Sequence, residues 1–414
     1  MSKAIIDILP RLNTRTGIAQ WLLVFAFLAN VIILFRGQSY EDNYLIDEVA
    51  RTAQLASLGL LSLSIIFCSD LRLARNKTFV LVIVPFTAYL FINTAVSITP
   101  DISSQYVILF FLTTTVICIL DLGADDWLRV FRVASLCLSA ALLLFILTKT
   151  REGRFWGAVH PNRMGTWLFV TAMLAHAWKN WFRWAVVCLT LYVGVRVDSR
   201  FSVLGIASFI VVSTCLGYAQ SPRKALLQIL AIVIIGLSAW NVVTHFFVGQ
   251  GDRSLEGGGI SGRDVLWEEA FERISHHVLL GSGFRSSTTT EAISESGVDA
   301  AHSGWIAAAD ELGMIGLAAF VAIYVWKGCE LLNWIRNTKD PSSQRLYSIS
   351  LAGLVANVVP LTFQPNYINF GDPLGLFIML VLFSRIKSSR QIVSTTRSQV
   401  PTLPSRPTRR PLTS

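Results

Sequence analysis

Long apolar runs separated by short polar segments dominate the chain. An α-helix needs about 20 predominantly apolar residues to cross a bilayer. Runs near that length occupy residues 17–35, 49–68, 78–98, 102–120, 130–148, 164–178, 181–196, 201–219, 225–248, 304–326, 346–363 and 370–386. The pattern predicts an all-α polytopic membrane protein with about twelve transmembrane helices, or eleven if the short sixth and seventh runs form a single span.

The composition supports a membrane protein and changes the meaning of the net charge. Of the 414 residues, 53% are hydrophobic and 15% are charged, which excludes an ordinary soluble enzyme. The net charge of +9 would suit a nucleic-acid-binding protein, but the basic residues lie mainly in short loops between apolar runs. This is the distribution that the positive-inside rule describes, so we expect no nucleic-acid partner.

The loop charges predict an orientation with both termini in the cytoplasm. Alternate loops, starting from the N-terminus, are basic, whereas the first outer loop is acidic, with Glu41, Asp42, Asp47 and Glu48. The basic loops hold Lys3, Arg11 and Arg15; Arg72, Arg75 and Lys77; Arg129 and Arg132; Lys179 and Arg183; Arg223 and Lys224; Lys327, Arg336, Lys339 and Arg345. An even number of spans fits this alternation.

The spans and loops divide the chain into four parts. We expect about nine helices in residues 1–248, a long outer loop in residues 249–303, and three further helices in residues 304–386. Residues 387–414 are rich in Pro, Ser, Thr and Arg, and are predicted to be a disordered basic cytoplasmic tail. The first apolar run lacks a small-residue cleavage site, which favours a retained anchor over a signal peptide.

Three outer segments carry arginines against the positive-inside rule. They are "KTREGRFWGAVHPNR" from Lys149, "VRVDSRF" with Arg196 and Arg200, and the long loop with Arg253, Arg263, Arg273 and Arg285. An anionic ligand at one membrane face would explain all three. The alternative is that the arginine side chains extend to lipid headgroups.

An amphipathic helix is predicted within the long loop. Ser261 and Asp264 fit a capping box, and Trp267, Ala270, Phe271, Ile274 and Val278 then share one face, opposite Glu268, Glu269 and Glu272. We expect this helix to lie along the outer membrane face. Arg263 in its first turn, beside free backbone N–H groups, would form a cradle for phosphate; the alternative is a solvent-facing arginine.

His302 stands where the loop ends and a span begins. Near several outer arginines it is a candidate general base, although a lone interfacial histidine can also simply bond to lipid or loop. Glu311 lies nine residues later and faces away, which favours a structural role beside a buried arginine. Asp372 in "NFGDPLG" is a second intramembrane acid at a Gly/Pro break. The pair His276–His277 points in two directions, so no metal site is expected.

The chemistry of these residues fits displacement of a lipid pyrophosphate. Arginines would stabilise the anionic leaving group, and one base would deprotonate an acceptor hydroxyl. No nucleotide-binding loop and no Asp-x-Asp pair is present in the sequence.

Four blocks in order resemble the O-antigen ligase family, which includes O-antigen ligases and O-antigen or exopolysaccharide polymerases. They are "GAVHPNRMG" with His160 and Asn162, "VDSRFSVLG", "SGRDVLWEEAFERISHHVLLGSGF" and "AHSGWIAAADELGMIGL". The likeness covers about residues 157–317. Two positions depart from the family pattern: Ser303 stands where asparagine is usual, and Val278 where proline is common.

The resemblance implies a metal-independent and cofactor-free glycosyltransferase at the periplasmic face of a bacterial inner membrane. Arg200 and Arg263 would hold undecaprenyl pyrophosphate, and His302 would sit at the transfer centre. The second-tier candidate residues are His160, Asn162, Arg196, Glu311 and Asp372. The partners would be the lipid-linked glycan, an acceptor glycan or lipid A core, membrane lipids and polysaccharide-assembly proteins. We expect a polymerase; the alternatives are a ligase and, from another class, a transporter or flippase for the same glycan.

Overall fold

The computed structural model describes residues 10, 14–29, 43–68, 76–148, 151–152, 155–156, 161–197, 199–220, 263–286, 303–363, 368 and 373–387. The described part is mostly helical, as predicted. The ninth predicted span, 225–248, and the predicted tail beyond residue 387 lie outside it.

Every other predicted span overlaps a helix. In chain order the helices are α1 (Arg15–Leu28), α2 (Asn43–Phe67), a π-helix (Phe79–Ile83) running into α3 (Val84–Ala95), α4 (Pro100–Ile119), α5 (Ala124–Thr148), α6 (Pro161–Ala175), α7 (Phe182–Arg196), α8 (Arg200–Gln220), α9 (Arg263–His276), α10 (Gly304–Asn337), α11 (Pro341–Phe363) and α12 (Pro373–Phe383). The sixth and seventh apolar runs form two separate helices, α6 and α7.

Four helices of the described part are long and apolar enough to cross a membrane by length and composition. They are Pro100–Ile119, Ala124–Leu147, Gly304–Asn337 and Pro341–Thr362. The described part also has shorter apolar helices, and large side chains such as Ile66, Leu81 and Leu147 are exposed on the bundle surface. An exposed apolar surface of this kind is typical of a multi-pass membrane protein, whereas the predicted total of twelve spans stays a prediction.

Short strands interrupt the all-α pattern. Asp121–Gly123 (β1) pairs in parallel with Arg385–Lys387 (β4), and Arg151–Glu152 (β2) pairs antiparallel with Phe155–Trp156 (β3) in the outer segment that begins at Lys149. The last apolar run was predicted to continue to residue 386, but its helix ends at Phe383 and the chain then joins β1. Hydropathy alone does not distinguish a final helical turn from a short buried strand.

The centre of the bundle is built around α12. All eleven of its residues are buried, and a helix that is apolar on every side belongs in a core. Its aromatic rings contact two other helices. The ring centroids of Phe377 and Phe131 of α5 are 5.8 Å apart, and those of Phe383 and Phe110 of α4 are 5.9 Å apart. Eleven residues rise only about 16 Å, which is about half the thickness of the hydrocarbon core of a bilayer.

The contacts group the described loops into two ends. At one end, called the Asp121 end, Gln20 donates to Asp126 at 2.7 Å, the Asp121 N–H donates to the Cys68 carbonyl, and Arg345 donates to the His176 carbonyl. At the other, called the Ser282 end, the Ile98 N–H donates to the Ser282 carbonyl at 2.9 Å. The contacts thus define two ends among the described loops, and which end faces the cytoplasm stays a prediction.

Candidate functional site

A tight turn follows the loop helix at the Ser282 end. Helix α9 ends at His276, and residues 278–284 reverse the chain through Gly281 (φ 75°) and Gly283 (φ 115°). A Cβ on Gly281 would lie 2.4 Å from the backbone nitrogen of Gly313, and one on Gly283 would lie 2.0 Å from Ser97 Oγ. These glycines therefore form the turn after the helix, and close packing as well as backbone conformation requires them.

Helix α10 is broken where this turn meets it. Gly313 has φ 64° and ψ −178°, a conformation outside the helical region. The N–H groups of Ser282 and Gly283 donate to the carbonyls of Asp310 (2.7 Å) and Glu311 (3.0 Å). In the reverse direction, the Met314 N–H donates to the Val278 carbonyl at 2.8 Å. We call these contacts between residues 278–284 and 310–315 the interlock.

Side chains of α3 complete the hydrogen bonding of the interlock. Asn93 Nδ2 donates to the carbonyls of Glu311 (2.9 Å) and Leu280 (2.5 Å), and Asn93 Oδ1 accepts from the Phe284 N–H at 2.6 Å. The Tyr89 hydroxyl donates to the Leu312 carbonyl. Non-helical backbone at membrane depth is tolerated where protein groups satisfy it, and α3 supplies those groups here.

A buried ion pair ties the loop helix to α10. Arg273 of α9 donates through Nη2 to Asp310 Oδ2 at 2.8 Å and through Nε to the same oxygen at 3.0 Å. Asp310 is only 1% exposed, and Ser282 Oγ lies 3.3 Å from its Oδ1. A buried carboxylate is strongly unfavourable without such partners, so the pair fixes the position of α9 relative to α10.

Glu311 is also buried, and its carboxylate accepts a hydrogen bond from the main chain. Its Oε2 accepts from the backbone N–H of Arg285 at 3.0 Å, while the Arg285 guanidinium lies over the Tyr106 ring at 5.3 Å. Sequence reasoning expected Glu311 to accompany a buried arginine and did not single out Asp310 and Arg273 as a pair. The available indication was Asp310 itself, a second acid carried into an apolar run.

The start of α10 explains one departure from the family pattern. Ser303 is the N-cap: its hydroxyl accepts from the Ile306 N–H at 3.4 Å, and the residue is buried. Serine and asparagine are equally good N-caps, so the exchange preserves this role. The neighbouring His302 lies outside the described residues. The Val278 departure is also compatible with the interlock, because proline retains the carbonyl that accepts from Met314.

Arg196 and Arg200 lie on either side of the turn between α7 and α8. Arg196 is exposed and continues a stripe of exposed residues on α7, namely Trp181, Ala185, Cys188 and Tyr192. Its position favours extension to lipid headgroups, the alternative kept open by the sequence. Arg200 is half-buried and is the first residue of α8.

The start of α8 packs tightly on the start of α6. A Cβ on Gly165 would lie 2.3 Å from Ser199 Oγ and 2.2 Å from the Phe201 ring. The "SRF" and "HPNRMG" segments are thus neighbours in space. Asn162 falls in the first turn of α6 but its side chain is not described, and His160 lies outside the described residues.

Helix α9 begins at Arg263, which agrees with the predicted placement of Arg263 in its first turn. The side chain of Arg263, and Ser261 and Asp372 as a whole, lie outside the described residues. The predicted apolar face is divided: Ala270 is buried and Trp267 and Ile274 are half-buried, but Phe271 and Val278 are exposed. The helix packs on α10 through the Ala270 side, where Arg273 also lies.

His276 and His277 are exposed at the end of α9. Among the residues that the structure describes, no group of three or more His, Cys, Asp or Glu side chains has a metal-binding arrangement.

A family model described as O-antigen ligase matches residues 184–321. The match runs from α7 through α9 and the interlock into the middle of α10, and it includes Arg200, Arg263 and His302. A comparison with curated proteins finds no match. Over residues 184–321, this chain is therefore similar to the O-antigen ligase family, as its motifs predicted.

Proposed function

We propose that the protein is a membrane glycosyltransferase of the O-antigen ligase and polymerase type. It would transfer a glycan from undecaprenyl pyrophosphate to an acceptor hydroxyl at the Ser282 end, which is predicted to face the periplasm. The observation that carries the proposal is the family match over residues 184–321, because it spans the candidate residues Arg200, Arg263 and His302 together.

In the proposed reaction His302 accepts the proton of the acceptor hydroxyl. The hydroxyl oxygen attacks the anomeric carbon of the donor sugar, and the bond from that carbon to the phosphate oxygen breaks. Undecaprenyl pyrophosphate leaves with the bonding electron pair, and the guanidinium groups of Arg200 and Arg263 stabilise its charge. Each of these arginines is the first residue of a helix, where free N–H groups also favour an anion.

The interlock supports this arrangement mechanically. Its main-chain bonds around Gly313, together with the Arg273–Asp310 ion pair, join the helix that begins with Arg263 to the helix that begins just after His302. Groups that act on one substrate must be held in a fixed relative position. A rigid connection between α9 and α10 meets this requirement.

The acceptor decides between a polymerase and a ligase, and we propose the polymerase. The acceptor would then be the glycan of a second lipid-linked repeat unit, and for a ligase it would be lipid A core. A transporter of the same lipid-linked glycan is the candidate from another class, for which the candidate base His302 has no assigned role.

Reconstitution of the full chain in liposomes with lipid-linked repeat units separates these functions. Longer glycan chains without any other acceptor indicate a polymerase, and product that forms only with lipid A core indicates a ligase. Movement of the lipid-linked glycan across the bilayer without bond formation would contradict a transferase. Activity is expected to survive EDTA, because the arginines carry the leaving-group charge; a loss that magnesium restores would contradict this mechanism.

A further inference from the structure

A second cluster of arginines lies at the Asp121 end, far along the helices from the candidate transfer site. It surrounds the segment "HAWKNWFRW", residues 176–184, between α6 and α7. Arg345 of α11 donates through Nε to the His176 carbonyl at 2.9 Å and through Nη2 to the Trp178 carbonyl. Arg132 of α5 donates through Nε to the Ala177 carbonyl at 3.0 Å. Two cations from different helices thus converge on the end of α6.

A third arginine stands beside them. The Arg183 guanidinium lies 4.8 Å from the centre of the Trp184 ring, and its Nε is buried and has no hydrogen-bond partner within the described part of the chain. Arg183 and Arg132 are near enough to Arg345 for their charges to repel it. Repulsion of Arg345 by the other two cations favours binding of an anion beside it.

The ion pairs Arg273–Asp310 and Lys327–Glu330 do not include Arg132, Arg183 or Arg345. Asp125 attracts Arg132 electrostatically, while Arg129 repels it. Arg345 caps α6 with its Nε and Nη2 groups, and Arg132 does so with its Nε group. Each guanidinium has five N–H donors in all. Donors therefore remain for a ligand.

The surface beside the cluster is suited to lipid. Trp181 is 72% exposed, and the stripe of Trp181, Ala185, Cys188 and Tyr192 extends along the outer face of α7 at helical spacing. Tryptophan is enriched where a bilayer meets water. A ligand at the arginines would thus have apolar protein surface next to it for acyl chains.

We propose that Arg132, Arg183 and Arg345 bind the phosphate group of an anionic phospholipid whose acyl chains lie along the exposed stripe of α7. A guanidinium matches phosphate oxygens in pairs. The predicted orientation places this end in the cytoplasmic leaflet, where a negative surface attracts basic protein segments. The site is separate from the proposed transferase chemistry, so its test needs no glycan substrate.

The test measures lipid binding to the purified, delipidated full chain by native mass spectrometry and by the lipid-induced rise in melting temperature. The probes are phosphatidylglycerol, phosphatidylcholine and inorganic phosphate. Arg183→Gln is the informative variant, because Arg183 donates to no main-chain carbonyl among the described residues, whereas Arg132 and Arg345 also hold the end of α6. Arg336→Gln, an exposed arginine on α10, is the matched control.

We expect phosphatidylglycerol to bind the wild type and Arg336→Gln equally, and Arg183→Gln about fivefold more weakly. Phosphatidylcholine should raise the melting temperature less than phosphatidylglycerol does. Should Arg183→Gln fail to fold, Arg183→Lys keeps the charge but not the paired donors, and it should bind with intermediate affinity. Equal binding of both lipids, equal binding by Arg183→Gln, or an equal effect of inorganic phosphate alone would overturn the proposal.

Discussion

Asp310 and Glu311 are adjacent in α10 and both are buried, but different groups stabilise them. Asp310 has a guanidinium, that of Arg273, and a serine hydroxyl beside it. Glu311 accepts from the main chain at Arg285. Removal of one partner of a buried pair leaves an uncompensated charge, which costs more than the pair contributes.

Arg273→Gln should therefore destabilise the protein by about 3 kcal/mol, because Asp310 would stay buried without its cation. Adding Asp310→Asn should recover part of that loss, since the uncompensated charge is then gone. Thermal unfolding in detergent measures Arg273→Gln, Asp310→Asn and the double variant, with Arg336→Gln as the exposed control. Losses that simply add in the double variant would show that the pair is not coupled.

The candidate transfer residues should separate binding from chemistry. His302→Ala should retain donor affinity while turnover falls ~100- to 10,000-fold, the usual range for a general acid–base group. Arg200→Lys and Arg263→Lys should instead weaken donor binding, because an ammonium does not copy the paired donors of a guanidinium. Donor affinity and product formation are measured on the same preparations.

The controls for this comparison are His277→Ala and Arg336→Lys, both at exposed positions. Each variant must reach the membrane at the wild-type level. Glycan synthesis by His302→Ala at the wild-type rate would exclude the proposed base.

At the scale of secondary-structure elements, the main irregularity is the break in helix α10 at Gly313. Gly313 adopts φ 64° and ψ −178°, a region that residues with a Cβ rarely occupy. A Cβ there would also lie 2.4 Å from the Leu279 carbonyl oxygen. The glycine is required both by its own conformation and by the turn packed against it.

Gly313→Ala should lower stability by at least about 2 kcal/mol, because backbone strain adds to the clash. The control is Gly59→Ala in α2, where a Cβ meets no atom within 4 Å. That change should be neutral or stabilising by about 0.5–1 kcal/mol, since alanine favours a helix. The melting temperatures of both variants, measured in the same detergent, test this difference in stability. Equal melting temperatures would argue against the break at Gly313.

The sequence predicted the positions of the helices better than their ends. Apolar runs marked the spans because burial in lipid requires them, and α4 agrees with its run within two residues at each end. By contrast, α10 continues to Asn337, eleven residues past the predicted end of its span. A helix is not obliged to stop where its apolar run stops, so Lys327 and Glu330 form their ion pair inside it.

The interlock was not predictable from local pattern. The "GSG" and "ELG" segments belong to the motif blocks that resemble the family. The pairing of these two segments depends on bonds between residues about thirty positions apart, and on Asn93 from much earlier in the chain. No periodicity within a window of sequence contains that information.

For the whole molecule, the described loops fall at two ends, and the charge pattern predicts which end faces which side of the membrane. The Asp121 end carries the arginine cluster and the β1–β4 pair, and the Ser282 end carries the interlock and the start of α8. The loop charges predict that the Asp121 end faces the cytoplasm.

Single cysteines test this assignment in a background without the six native cysteines. Ser254→Cys and Ser287→Cys should react with a membrane-impermeant thiol reagent added to intact spheroplasts, because both belong to the predicted periplasmic loop. Ser405→Cys should react only after the membrane is permeabilised. Labelling of Ser405→Cys in intact spheroplasts would reverse the orientation.

The position of Asn93 has a consequence for biosynthesis. Asn93 precedes Leu280 by 187 residues and Glu311 by 218 residues. At translation rates of about 5–20 residues per second, roughly 10–45 s separate the synthesis of Asn93 from that of its last partner. Until Leu280 and Glu311 have been synthesised, the Asn93 amide in the nascent membrane domain lacks one or both of its native acceptors. A chain arrested before residue 311 lacks the Glu311 carbonyl that accepts from Asn93, so we expect it to be less stable and more easily cleaved by proteases than the full chain.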